Sequence, residues 1–111
     1  MSSLSSHILD ISTGRPAAGV MVRLEHYQPN GYSPIGSEQT DDNGRIARFC
    51  TQELPPGRYR LTAETGDWFR QRDISTPFVQ AQIEVMLEAG QGHYHLPFVI
   101  APGGWSTYRG N

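Results

Sequence analysis

Three side chains in this sequence have the types needed to drive water onto a carbonyl near neutral pH: His7, Arg45 and His95. Imidazole is the side chain whose ordinary pKa lets it take a proton from water and hand it on in that range. Guanidinium is always charged and rich in donors, which suits it to hold an oxygen on which negative charge develops. Each residue taken singly has a plainer explanation. A histidine on a strand is ordinarily solvated or satisfied by its neighbours, and an arginine just after a turn is an ordinary charged strand start.

The setting of the histidines is what raises the question. Residues 93–101 alternate, so that Tyr94, Leu96, Phe98 and Ile100 share one face and His93, His95, Pro97 and Val99 the other. The first face is a core stripe. The second carries two imidazoles that burial does not call for. In the first strand Ile8 belongs to the core, which turns His7 outward beside Leu9. His93 and His95, two apart on one strand face, stand roughly 7 Å apart at the backbone, a spacing by which strand histidines also hold zinc. With His7, a three-histidine site is conceivable, but no carboxylate or thiol is obviously placed to support it. Metal is therefore the minor reading, and His93 is expected at the rim of a cleft as a supporting residue. His26, beside Tyr27 at a strand end, is expected on the surface.

The elements that must position these residues read as an all-β sandwich. Twelve glycines and eight prolines punctuate short apolar runs. Strands are expected over residues 4–11, 20–27, 32–40, 45–51, 58–64, 79–87, 93–101 and 105–108, with a short helical turn over 66–72 where nothing alternates. The strand over 32–40 is the more polar and is expected near a sheet edge. Asn43-Gly44 is suited to a hairpin turn that needs positive φ, so Arg45 would leave that turn at the start of a strand. Residues 54–57 form another turn, and Pro102-Gly-Gly104 reverses the chain into the last strand.

Bulk properties narrow the functional classes. At 111 residues and 12.4 kDa the chain is one domain, 1–111, large enough to bury a core without staples. A net charge of −2 gives no electrostatic footprint for nucleic acid or for an anionic membrane surface. All nine basic residues are arginine, which excludes Schiff-base chemistry and a lysine-dependent phosphate loop. Cys50 stands alone, so no intrachain disulfide forms and a reducing compartment fits. The opening residues lack the features of a signal peptide and no run approaches a membrane span. The simplest expectation is a cytoplasmic protein.

Both ends of the chain carry a resemblance. Ser6-His-Ile-Leu-Asp10 and the ending that runs from His93-Tyr-His-Leu-Pro97 to Tyr108-Arg-Gly-Asn111 closely resemble the transthyretin-related 5-hydroxyisourate hydrolases. Chains of that family typically close with Tyr-Arg-Gly-Ser after a His-Tyr-His-Val/Leu-Pro strand. The middle of the chain, with Leu54-Pro-Pro-Gly-Arg-Tyr59 among its landmarks, also looks like many prealbumin-like and Cna-B-like sandwich modules, so the two ends carry the specificity.

The resemblance implies a transthyretin-like sandwich of about eight strands in two four-stranded sheets with one short helix. It implies hydrolysis of 5-hydroxyisourate to 2-oxo-4-hydroxy-4-carboxy-5-ureidoimidazoline in urate degradation, by a homotetramer that needs no cofactor or metal. His7, Arg45 and His95 match the family's catalytic positions, which converge in a cleft between subunits. Either histidine could be the base. Tyr108, Arg109, Gly110 and Asn111 match the chain end that folds into that cleft to bind substrate. Asn111 stands where the family has serine, and Gly103-Gly104-Trp105 replaces the more usual Tyr-Gly-Tyr. The rival readings are a non-catalytic transthyretin-like carrier of a planar ligand and a structural sandwich module.

Overall fold

The computed structural model describes residues 2–49 and 53–111. Cys50 and the last part of the strand expected over 45–51 lie outside the described residues. The chain forms β1 (Ser3–Asp10), β2 (Arg15–Pro16), β3 (Met21–Gln28), β4 (Gly31–Gln39), β5 (Arg45–Ile46), β6 (Gly57–Ala63), α1 (Thr65–Arg70), β7 (Ala81–Leu87), β8 (His93–His95), β9 (Phe98–Ala101) and β10 (Gly104–Thr107).

Two sheets result. One is ordered β4-β3-β6-β7 and is antiparallel throughout, with the polar strand β4 at its edge as its composition suggests. The other is built around β1. Along one edge of β1 lie β8 and then β9, both parallel to it, and β10 pairs with β9 beyond. Along the other edge lie β5 and then β2, both antiparallel. Backbone polarity fixes this division, since the N–H and C=O of Ile8 go to Gly44 and Ala17 while the C=O of Ser5 goes to Leu96. The sheet's six named strands therefore lie four across, in keeping with two four-stranded sheets.

Alternation decides which residues meet between the sheets. Leu4 and Ile8 of β1, together with Tyr94, Leu96, Phe98 and Ile100, point inward against Val22, Leu24, Tyr59 and Leu61 of the other sheet, and all are buried. Burying a side chain of this size stabilises the fold by roughly 1.5–3 kcal/mol each. The inward parity of these residues commits Ser3, Ser5 and His7 to the opposite face of β1.

Four expectations from sequence are corrected. The strand over 93–101 breaks after His95 because Pro97 has no N–H to give to a ladder, although its register against β1 is unchanged from Ser3↔His93 to Asp10↔Ile100. The turn over residues 41–44 is not a hairpin. It passes the chain from one sheet to the other, because Asp41 Oδ1 accepts the N–H of both Asn43 and Arg45 and aims β5 at β1. Consequently β5 ends at Ile46. His26 is half-buried rather than on the surface, stacked on the ring of Tyr59 at 4.3 Å with 8° between planes. The short helix forms one residue earlier than expected, with Trp68 and Phe69 turned to the core. Among the described residues no helix is long and apolar enough to cross a membrane.

Candidate active site

The outer face of the β1 sheet gathers the polar residues singled out from the sequence. His7 on β1 is the direct cross-strand partner of Arg45 on β5. On the other side of β1, Ser3 pairs with His93 and Ser5 with His95. One short stretch of sheet thus places His7, Arg45, His93 and His95 on a common face.

A cleft of about 280 Å³ opens there, lined among others by Ser5, Arg45, His93, His95 and Asn111. His7 is not on its wall but neighbours both key residues: it pairs with Arg45, and a positive charge on it would oppose one on His95. The Nε2 of His7 donates to the backbone carbonyl of Asn43 at 3.1 Å. That bond fixes the neutral ring as the Nε2–H tautomer and leaves Nδ1 with the lone pair. The guanidinium of Arg45 is exposed and has no hydrogen-bond or ion-pair partner among the described residues. On the outer face of the other sheet, by contrast, Arg58 and Arg60 are each engaged by a carboxylate at 2.9 Å.

His95 is the most enclosed of the cleft imidazoles. Its Nδ1 lies 2.8 Å from Ser5 Oγ, and Ser5 Oγ lies 2.8 Å from Nε2 of His93. The Nδ1 of His93 is in turn 2.6 Å from Ser3 Oγ. Burial first, then the charges of His7, His93 and Arg45, hold the His95 imidazolium below the usual histidine range. His95 is therefore neutral at pH 7, with one ring nitrogen committed to Ser5 and the other uncommitted among the described residues.

The chain end divides in two. Gly110 forms a bridge to His95, its N–H donating to that residue's carbonyl at 2.7 Å, and Asn111 reaches the cleft wall. Arg109 does not line the cleft, its guanidinium lying 4.1 Å above the ring of Tyr94. Tyr108 is exposed. Arg109 thus pins the chain end to the sheet instead of adding charge beside the histidines.

His93 lies on the cleft wall with both ring nitrogens against serine hydroxyls, so it shares no free coordination point with His95. Among the described residues no group of three or more His, Cys, Asp or Glu side chains is placed to hold a metal ion.

Comparison with known proteins gives the family. A family model described as the HIUase/transthyretin family matches residues 4–110. The chain belongs to the HIUase/transthyretin family. A 5-hydroxyisourate hydrolase of Salmonella typhimurium is 39% identical over 109 residues, covering 97% of this chain and 80% of that one. That of Caulobacter vibrioides is 35% identical over 115 residues, covering 100% of both. Among solved structures, Klebsiella pneumoniae 5-hydroxyisourate hydrolase superposes with a TM-score of 0.92 at 52% identity, covering all of both chains. Transthyretin from Sparus aurata superposes at 0.89 with 25% identity, covering 96% of this chain and 95% of that one.

Within this family fold, the serines of β1 are what a reading of the sequence overlooks. Ser3, Ser5 and His7 alternate on the outward face, a pattern available from the sequence once Ile8 is assigned to the core. Nothing short of the parallel pairing of β1 with β8 reveals that these hydroxyls reach the two histidines.

Proposed function

We propose that this protein hydrolyses 5-hydroxyisourate in urate degradation, opening its cyclic amide to give 2-oxo-4-hydroxy-4-carboxy-5-ureidoimidazoline. The observation that carries the reading is the convergence of a neutral, enclosed His95 and an unengaged Arg45 on one cleft, with His7 directly across from Arg45. Family membership and the hydrolases among its relatives support the substrate.

In this reading His95 is the base. Its uncommitted nitrogen takes a proton from water, and the resulting hydroxide adds to the amide carbonyl carbon. Arg45 holds the carbonyl oxygen as it gains negative charge, a role for which its fixed charge and its lack of other partners among the described residues suit it. The carbonyl–nitrogen bond then breaks, the ring nitrogen departs with a proton returned from imidazole, and a carboxylate remains. His7, across from Arg45, positions the guanidinium and offers the Nδ1 lone pair to substrate or water. Gly110 and Asn111 close the cleft from the chain end, while Arg109, over the ring of Tyr94, holds that end in place.

A homotetramer completes the reading. The cleft lies on an outer sheet face that is open in a single chain, and the same face of a second copy would cover it and exclude water. The setting is cytoplasmic, in keeping with charge and composition. The test is to generate 5-hydroxyisourate in situ from urate and follow its decay with and without the protein. Acceleration supports the reading; decay at the uncatalysed rate refutes it.

A further inference from the structure

Beyond the roles given to His95 and Arg45, an unbroken line of hydrogen-bonding groups runs along the cleft with no assigned purpose. Ser3 Oγ, His93 Nδ1, His93 Nε2, Ser5 Oγ and His95 Nδ1 follow one another at 2.6, 2.8 and 2.8 Å across the three contacts. It begins at the exposed Ser3–His93 contact and ends at the half-buried His95. A neutral imidazole has one donor and one acceptor nitrogen, and a hydroxyl has one proton to give. The line has a single direction when Ser5 accepts from one ring and donates to the other.

We propose that Ser3, His93, Ser5 and His95 form a single proton relay that lets His95 act as a base without accumulating charge. This inference rests on the hydrolase reading of the same cleft. In the resting polarity His95 Nδ1 donates to Ser5, Ser5 to His93 Nε2, and His93 Nδ1 to Ser3, which leaves the lone pair of His95 Nε2 toward the cleft. When Nε2 takes a proton from water, His95 Nδ1 passes its proton to Ser5 Oγ. The hydroxyl proton of Ser5 moves to His93 Nε2, the Nδ1 proton of His93 moves to Ser3, and the proton of Ser3 goes to solvent. Only protons move, nothing is oxidised or reduced, and each member ends neutral in its opposite orientation. The reverse passage restores the resting state.

The surroundings give this arrangement its value. His7, His93 and Arg45 all act against a positive charge on His95, and so does burial. A base that had to store the proton as imidazolium would work against burial and the fixed charge of Arg45. The relay moves the charge to the exposed end instead. Ser3, Ser5 and His93 are thus positioning and proton-transfer residues that act through His95.

The relay is tested first without substrate, on ¹⁵N-labelled protein at a pH where both rings are neutral. Ring ¹⁵N shifts should show His93 and His95 in the same tautomer, both Nδ1–H or both Nε2–H. Opposite tautomers would mean that Ser5 accepts from both rings, and would overturn the proposal. The kinetic arm uses Ser5→Ala and His93→Phe. Removing the partner that sets a working histidine's tautomer typically costs roughly 10- to 100-fold. The loss should fall on kcat with KM little changed, and Ser5→Thr, which keeps the hydroxyl, should recover most of it. Unchanged kcat in both variants, or no recovery with threonine, would also overturn the relay. Should the wild-type protein leave 5-hydroxyisourate untouched, the hydrolase reading falls, while the ring spectra still decide whether the chain of hydrogen bonds is polarised as one unit.

Discussion

Gly110 lies so close to His95 that a Cβ added to it would sit 2.7 Å from Cδ2 of the imidazole, with the two residues already joined by a 2.7 Å backbone hydrogen bond. Glycine is required here for space, not for an unusual φ. The ring has little room to yield, because Ser5 holds its Nδ1. Gly110→Ala should therefore displace His95 or the chain end by a fraction of an ångström while leaving the core intact. A misplacement of about 1 Å in a catalytic site can cost on the order of 100-fold, so kcat should fall by at least about 10-fold with an unchanged melting temperature. Wild-type turnover in Gly110→Ala would show that the chain end does not set the position of His95.

Arg45 should tolerate loss of charge better than its reversal. Losing one donor to a developing oxyanion costs roughly 10²- to 10³-fold, which is the expected effect of Arg45→Gln on kcat/KM. Arg45→Glu places a carboxylate where negative charge develops and should be worse. Equal activity in the two variants would remove Arg45 from the oxyanion role.

The pH dependence follows from His95. Burial and then the charges of His7, His93 and Arg45 lower its pKa from 6.5. The base form therefore persists to lower pH than for an ordinary histidine, and the acid limb of kcat/KM should have its midpoint below 6.5. Stability has a matching sign. In the window between the lowered folded value and the ordinary one, the unfolded chain binds more protons than the folded chain. The contribution of His95 is then fully present above the ordinary value and is lost as pH falls through the folded one. An NMR titration of His95 checks this directly, and a midpoint at or above 6.5 would contradict it.

Gly44 separates backbone strain from steric exclusion. Gly44 and Gly14 share φ +74, but a Cβ on Gly44 would meet the backbone oxygen of Ile8 at 2.5 Å whereas Gly14 has nothing within 4 Å. A residue forced into that conformation costs roughly 1–3 kcal/mol. Gly14→Ala should lose about that much, and Gly44→Ala clearly more, because the contact also disrupts the Ile8–Gly44 hydrogen bond that seats β5 beside His7. Thermal unfolding of the two variants is the measurement; equal melting temperatures would mean that the turn adapts to the added carbon.

The sandwich was legible because its inward faces alternate cleanly, and the positions of His7 and His95 followed from the inward assignment of Ile8 and Leu96. Local pattern did not reveal partners. The Asp41–Gly44 turn has hairpin chemistry, yet the side chain of Asp41 directs β5 to β1, and that cross-sheet step is what brings Arg45 opposite His7. Alternation likewise carries no record of the break at Pro97 or of the stacking of Arg109 on Tyr94. The serines of β1 were unremarkable until β8 paired beside them in parallel, a contact between residues ninety positions apart in the chain.

The most direct test of the account follows 5-hydroxyisourate, generated in situ from urate, in the presence of the wild-type protein, His7→Ala and His95→Ala. A well-placed general base contributes roughly 10²- to 10⁴-fold. The wild-type protein should accelerate the decay, His95→Ala should lose most of that acceleration within this range, and His7→Ala should lose a large part of it. Turnover like that of the wild type in both variants would contradict the assignment of this cleft as a histidine-driven hydrolytic site.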